Sequence, residues 1–118
     1  MAIRRGEIYF VELGPTRGRE IDLKRRPVLV LSVDAINSKP LVVTVIPGGT
    51  RRAGKRVYDT ELQVAPSATN GLSGPTVFQC IQIKAIDHSR FDSPPAGELV
   101  PEDIQAVEEK VKACLGLD

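Results

Sequence analysis

The sequence predicts a mainly β domain, a small curled antiparallel sheet or partly closed barrel, with one helix at its C-terminal end. Three observations carry that expectation. Short apolar or alternating runs recur between Gly- and Pro-rich breaks over residues 7–86. A helical stripe occurs only over residues 101–115. Aromatic residues make up 4% of the chain and Trp is absent, so Val, Ile and Leu must fill the core. The 118 residues are one domain's worth, enough to bury a core without metal or disulfide, so a single domain over 1–118 is expected.

Residues 7–13 alternate, with Tyr9, Val11 and Leu13 on one face and Ile8 and Phe10 on the other, a strand apolar on both sides. Residues 14–26 combine Gly, Pro and charge without periodicity and read as a long loop. Residues 27–32 form a continuous apolar strand opened by a proline, which a strand start tolerates. Residues 34–40 read as a connection. Residues 41–46 are a second continuous apolar strand, which Pro47-Gly48-Gly49 is expected to end.

A basic loop follows over 51–56, then an amphipathic strand over 57–64 and a Ser/Gly/Asn-rich loop over 66–75. Residues 76–86 read as one strand, with Val77, Ile81, Ile83 and Ala85 of one parity, and 87–90 as a turn. In the helix, Ile104, Val107, Val111 and Leu115 make the apolar stripe. Pro101 suits the first turn, Glu102 and Asp103 suit the positive end, Lys110 and Lys112 the negative end, and Gly116 the C-terminal close. Val100 cannot cap the helix with its side chain, so another group must satisfy the first amides.

The net charge of +1 hides a polarity. Residues 1–60 hold twelve Lys and Arg against six Asp and Glu, whereas residues 61–118 hold four against nine. The basic half is the place to look for a polyanionic partner. No apolar run approaches the roughly 18–20 residues that span a bilayer, so no membrane partner is expected. The opening Met-Ala-Ile-Arg-Arg-Gly-Glu lacks the apolar core of a secretory signal, and the cytoplasm is the expected compartment. Cys80 and Cys114 have no Cys or His at ligand spacing and read as buried thiols in a reducing environment. No metal or other cofactor is expected.

Ordered motifs add to this reading. Arg5-Gly6-Glu7-Ile8-Tyr9, Gly14-Pro15-Thr16-Arg17-Gly18-Arg19-Glu20 and Arg26-Pro27-Val28-Leu29-Val30 resemble the N-terminal signature of the MazF/PemK/Kid toxins. Val45-Ile46-Pro47, the run from Cys80 to Asp87, and Leu99-Val100-Pro101-Glu102-Asp103 resemble later motifs of that family, in order. The resemblance implies an SH3-like, CcdB-like barrel of five to seven antiparallel strands that pairs as a homodimer. It also implies metal-independent, sequence-specific cleavage of single-stranded RNA, mRNA in particular, and neutralisation by a cognate MazE-type antitoxin.

RNA cleavage by internal transfer needs a base for the 2′-hydroxyl, positive charge for the phosphorane and a proton for the leaving 5′-oxygen. The resemblance assigns the charge to Arg26, whose planar fork can hold two phosphate oxygens. It assigns a hydroxyl role to Thr50, although the family's usual spacing falls on Gly49. Glu20 becomes a base or an orienting group for Arg26. An Arg and an Asp that flank the cysteine in some members are replaced here by Gln79 and Ile81, so that version of the mechanism is not expected. His88 is the single histidine, which excludes a two-histidine mechanism.

Arg17, Arg19, Lys24, Arg25, Arg51, Arg52, Lys55 and Arg56 are candidates to track phosphates. Gln79 and Gln82 are candidates to read bases by hydrogen bonds. Two alternatives remain open from sequence: a gyrase-inhibiting toxin of the CcdB kind, and an RNA-binding barrel without catalysis.

Overall fold

The computed structural model describes residues 2–14, Arg17 and residues 25–117. Seven strands and two helices follow in order: β1 (Glu7–Glu12), β2 (Arg25–Val30), α1 (Asp34–Asn37), β3 (Val42–Thr50), β4 (Glu61–Val64), β5 (Thr76–Gln79), β6 (Lys84–Asp87), β7 (Gly97–Glu98) and α2 (Pro101–Leu115). They form one antiparallel sheet ordered β4-β5-β3-β2-β1-β7, with β6 also on β3. This is the curled β architecture with a terminal helix that the sequence predicts.

Both faces of the sheet are apolar, as the alternation in β1 requires. Tyr9, Val11, Val28, Val30, Val43, Val45, Ile86 and Phe91 gather on one face, where the Tyr9 and Phe91 rings meet edge-on at 5.0 Å. Ile8, Leu29, Ile46, Phe78 and Cys80 gather on the other, closed over by Val107 and Val111 of α2. Helix α2 ends at Gly116 with φ +70, the left-handed conformation glycine adopts without strain. At its start the amides of Asp103 and Ile104 turn back onto the Val100 carbonyl, which replaces a side-chain cap. Leu115, placed in the stripe from sequence, is 51% exposed.

The largest departure from the sequence expectation is β3. Pro47, Gly48 and Gly49 do not end the strand but lie inside it. The Thr44 carbonyl accepts from the Leu31 amide, and the Arg51 amide donates to the Pro75 carbonyl. Even residues of β3 therefore turn their backbone polar groups toward β2, and odd ones toward β5 and β6. The missing N–H of Pro47 falls on the β5/β6 side, where a 3-10 turn (Cys80–Gln82) interrupts the partner, so no ladder bond is lost. Gly48 is required by packing, since a Cβ there would stand 3.0 Å from both Phe78 Cδ1 and Thr76 Cγ2.

Other boundaries shift for similar reasons. The strand expected over 76–86 is broken by that 3-10 turn, which leaves Ile81 52% exposed against its pattern. The strand expected over 57–64 shrinks to Glu61–Val64. The 34–40 connection contains the one-turn helix α1, whose Asn37 is buried and bonded to Ser32 through both its amide atoms. The loop expected over 14–26 ends sooner, because Arg25 and Arg26 already belong to β2.

Candidate active site

Strands β2 and β3 stay paired from Val30↔Val45 to Val28↔Pro47 and then part. Arg25, Arg26 and Pro27 remain laddered to Glu12, Val11 and Phe10 of β1. Gly48, Gly49 and Thr50 are laddered instead to Phe78, Val77 and Thr76 of β5. The divergence opens a groove of about 670 Å³ lined by Arg25, Arg26, Gly49, Thr50, Arg51, Arg52, Lys55, Arg56, Val57, Tyr58, Glu61, Val77 and Gln79. A niche of about 160 Å³ adjoins it, lined by Phe10, Arg25, Arg26, Pro27, Gly49, Thr50 and residues 73–76. Among the described residues, six guanidinium or ammonium groups and one carboxylate, Glu61, line the larger groove. Such a wall of one sign focuses field and favours a polyanion.

The cations are not equivalent. Arg26 is half-buried and shares the face of Val28 and Val30 by strand alternation. Arg25, on the opposite face, donates through Nη2 to Asp92 Oδ1 at 2.9 Å and to the Phe10 carbonyl at 2.8 Å. That neighbour raises the Arg25 pKa and holds the Asp92 carboxyl below the usual carboxylate range. Arg90 also grips this part of the backbone, donating to the carbonyls of Glu12 at 2.8 Å and Gly14 at 2.9 Å. Together the two arginines clasp the chain where the long β1–β2 loop leaves and returns. Arg51 Nε donates to Gln63 Oε1 at 3.1 Å, and its Nη1 lies against the Arg52 carbonyl. The Arg56 guanidinium stands 5.1 Å over the Tyr58 ring.

Of the residues expected to carry chemistry or bind, Arg25, Arg26, Thr50, Arg51, Arg52, Lys55, Arg56 and Gln79 line this groove. Gln82 does not; its Nε2 donates to Gln79 Oε1 at 2.8 Å from behind. Arg17 is exposed, and Glu20, Arg19 and Lys24 lie outside the described residues. Thr50 follows the parity of Ile46 and Gly48, the face opposite Arg26, whereas Gly49 has the parity of Arg26's face. Among the described residues, no cluster of three or more His, Cys, Asp or Glu could hold a metal, and no helix is long and apolar enough to cross a membrane.

Cys80 is buried as expected, and burial pushes its thiol up to about 11; Cys114 is only half-buried. Tyr58, Phe78 and Phe91 are the aromatics the sequence offers for base stacking; of these Tyr58 is exposed and lines the groove, whereas Phe78 and Phe91 are buried. Glu61 was missed from the sequence, where its only signal is proximity to the basic run.

The model of the PemK-like, MazF-like toxins of type II toxin–antitoxin systems matches residues 4–115. The chain belongs to that family. It is 32% identical over 120 aligned residues to the endoribonuclease MazF9 of Mycobacterium tuberculosis (strain ATCC 25618 / H37Rv), covering 98% of both chains. Its fold is similar to that of MazF from Deinococcus radiodurans, with TM-score 0.81, 25% identity and 99% of each chain covered. A MazE–MazF structure from the same organism has the same fold, with TM-score 0.77, 24% identity and complete coverage of both chains. With a PemK-like, MazF-like match over nearly the whole chain, the CcdB-like alternative is not favoured.

Proposed function

We propose that this chain is the toxin of a type II toxin–antitoxin pair and acts as an endoribonuclease that cuts single-stranded RNA in the cytoplasm, mRNA in particular. The observation that carries the reading is the half-buried Arg26 at the wall of a groove lined by six cations. A polyphosphate chain laid there meets charge along its length, while Arg26 is held by its β-ladder to Val11.

In this reading the 2′-hydroxyl attacks the adjacent phosphorus, and the 5′-oxygen leaves as a hydroxyl. The other product carries a 2′,3′-cyclic phosphate. Arg26 stabilises the extra charge on the phosphorane through its two-pronged fork. Glu20 takes the 2′-proton, or orients Arg26 while water takes it, and water protonates the leaving 5′-oxygen. Thr50, at the groove rim, donates to a phosphate oxygen from the opposite strand face, because Gly49 supplies no hydroxyl at the level of Arg26. The cations of residues 51–56 hold the flanking phosphates. No bound metal takes part, which is why the test is run in chelator.

The antitoxin is an acidic, extended segment that competes for the same cations, consistent with the family's toxin–antitoxin description. The active unit is a homodimer. Its contact is not the core run of β3, where Val43, Val45 and Ile46 are fully buried within one chain. The exposed Val33, Ile36, Leu41 and Val42 beside α1 are the better surface.

The experiment is incubation of end-labelled RNA with the pure protein in EDTA, followed by analysis of fragment ends. Discrete fragments with cyclic-phosphate and 5′-hydroxyl ends, lost in Arg26→Ala, are expected. RNA that is retarded in a gel yet stays intact would sink the catalytic reading.

A further inference from the structure

At the β4–β5 end of the groove, three side chains that no phosphate needs are brought together. Glu61 and Gln79 are direct partners across the β4–β5 ladder, so their Cβ atoms stand about 4.5–5.5 Å apart on one face. Both are half-buried and both line the groove. The Tyr58 ring, 56% exposed, lies beside them with the Arg56 guanidinium over it.

Each polar group is already oriented from behind. The Tyr58 amide donates to Glu61 Oε1 at 2.9 Å and fixes the carboxylate plane. Gln82 Nε2 donates to Gln79 Oε1 at 2.8 Å, so the carbonyl of Gln79 is engaged and its NH2 group is the part offered to a ligand. The result is a donor beside a carboxylate, next to an exposed aromatic ring, at the end of a cationic channel. A carboxylate in a channel otherwise lined by cations weakens phosphate binding, so its use lies elsewhere.

We propose that Glu61 and Gln79, with the Tyr58 ring as a stacking platform, form a subsite that reads the Watson–Crick edge of a guanine in the bound RNA. The proposal rests on the endoribonuclease reading. Guanine presents an acceptor, O6, followed by two adjacent donors, N1–H and N2–H2. The Gln79 NH2 group answers the first, and the two-oxygen Glu61 carboxylate answers the pair. Adenine presents a donor and then an acceptor, uracil an acceptor, a donor and an acceptor, and cytosine a donor and two acceptors, so none of them offers the carboxylate two adjacent donors. A site with an unmatched buried polar group rejects its ligand. Stacking on Tyr58 is base-tolerant and adds affinity rather than choice.

The test reads cleavage of a random-sequence RNA pool in EDTA, then of one preferred oligonucleotide with inosine in place of its guanosine. Inosine lacks only the N2 amine. The wild type is expected to require guanine at one position near the cut and to lose about tenfold in kcat/KM on inosine. Glu61→Gln is expected to cut the guanosine RNA more slowly and to treat guanosine and inosine alike, with an unchanged melting temperature. Cleavage with no guanine requirement, or a guanosine-over-inosine ratio that survives Glu61→Gln, overturns the subsite and leaves the nuclease intact. RNA left whole by the wild type overturns the nuclease reading and this one with it. The inosine comparison needs no variant, so a folding defect in Glu61→Gln does not blunt it.

Discussion

Residues 42–46 of β3 are Val-Val-Thr-Val-Ile, laddered to β6 on one side and to β2 on the other. Residues 47–50 are Pro-Gly-Gly-Thr; Pro47 still pairs with Val28 of β2, and Gly48, Gly49 and Thr50 are laddered to β5 instead. The first half is packed on both faces by aliphatic side chains; the second carries almost no side chain at all. One strand thus supplies both the core and the floor of the groove. Bulk holds the sheet shut in one half, and the lack of it lets Arg26 and the basic loop face an open space in the other.

The contrast is broken most severely from the packed side. Ile46 is fully buried between the sheet and the Phe78 cluster. Ile46→Ala should cost about 2–5 kcal/mol of folding stability, measured by denaturant melting, because the cavity it leaves lies in a rigid ladder. Activity per folded molecule should survive. A small loss of stability would mean that the first half is less of a core than its burial implies.

On the open side the order reverses. Arg26→Ala should lower kcat by about 10²–10³ while melting close to the wild type, as expected for a group that meets charge mainly in the transition state. Arg26→Lys should recover only part of the loss, since an ammonium cannot bridge two phosphate oxygens. An Arg26→Ala protein that cuts normally would move the chemistry elsewhere in the groove.

Gly48 joins the two halves. Gly48→Ala places a methyl 3.0 Å from the ring of Phe78, which is fully buried and cannot retreat. A destabilisation of about 1–3 kcal/mol is expected from overpacking, in spite of the entropy that alanine saves in the unfolded chain. If the protein is instead stabilised, glycine is present for the groove and not for Phe78.

These residues also show what a sequence can carry. The two-faced pattern of β1 and the stripe of α2 are local, period-two and period-three-to-four signals; the first appears in the structure as written and the second does so except at the exposed Leu115. Pro-Gly-Gly is locally a turn signal. It becomes strand only because the chain opposite Pro47 is broken by the turn at Cys80–Gln82, a distant stretch of the sequence. That break is itself invisible in the alternation of Val77, Ile81 and Ile83. Strand β7 is two residues long, too short for any period to register. The cationic character of the site was legible as a charge run. Glu61, the one carboxylate among the described residues of the groove, was not, since a lone Glu becomes informative only when a ladder sets it beside Gln79. The resemblance separates Arg26 from Arg25 by role; the structure adds a separation by face, with Arg25 paired to Asp92.

That separation gives the smallest expected effect. Arg25 and Asp92 are both well exposed, so Asp92→Asn should leave melting almost unchanged. What should change is the salt dependence of RNA binding, measured with an uncleavable 2′-deoxy analogue. While Asp92 is ionised it occupies the Arg25 guanidinium. Released, that guanidinium can take a phosphate, and the slope of log K against log salt should steepen by about 0.7, one single-strand phosphate contact. In the wild type the same release should appear only in acid. Arg25 lowers the Asp92 pKa, so the pair is complete above the ordinary carboxylate value of about 4 and is lost as pH falls through the lower folded value. A slope identical in both proteins would show that the ion pair does not keep Arg25 from the RNA. The clasp at Asp92 would then serve only to hold the start of β2 against β1.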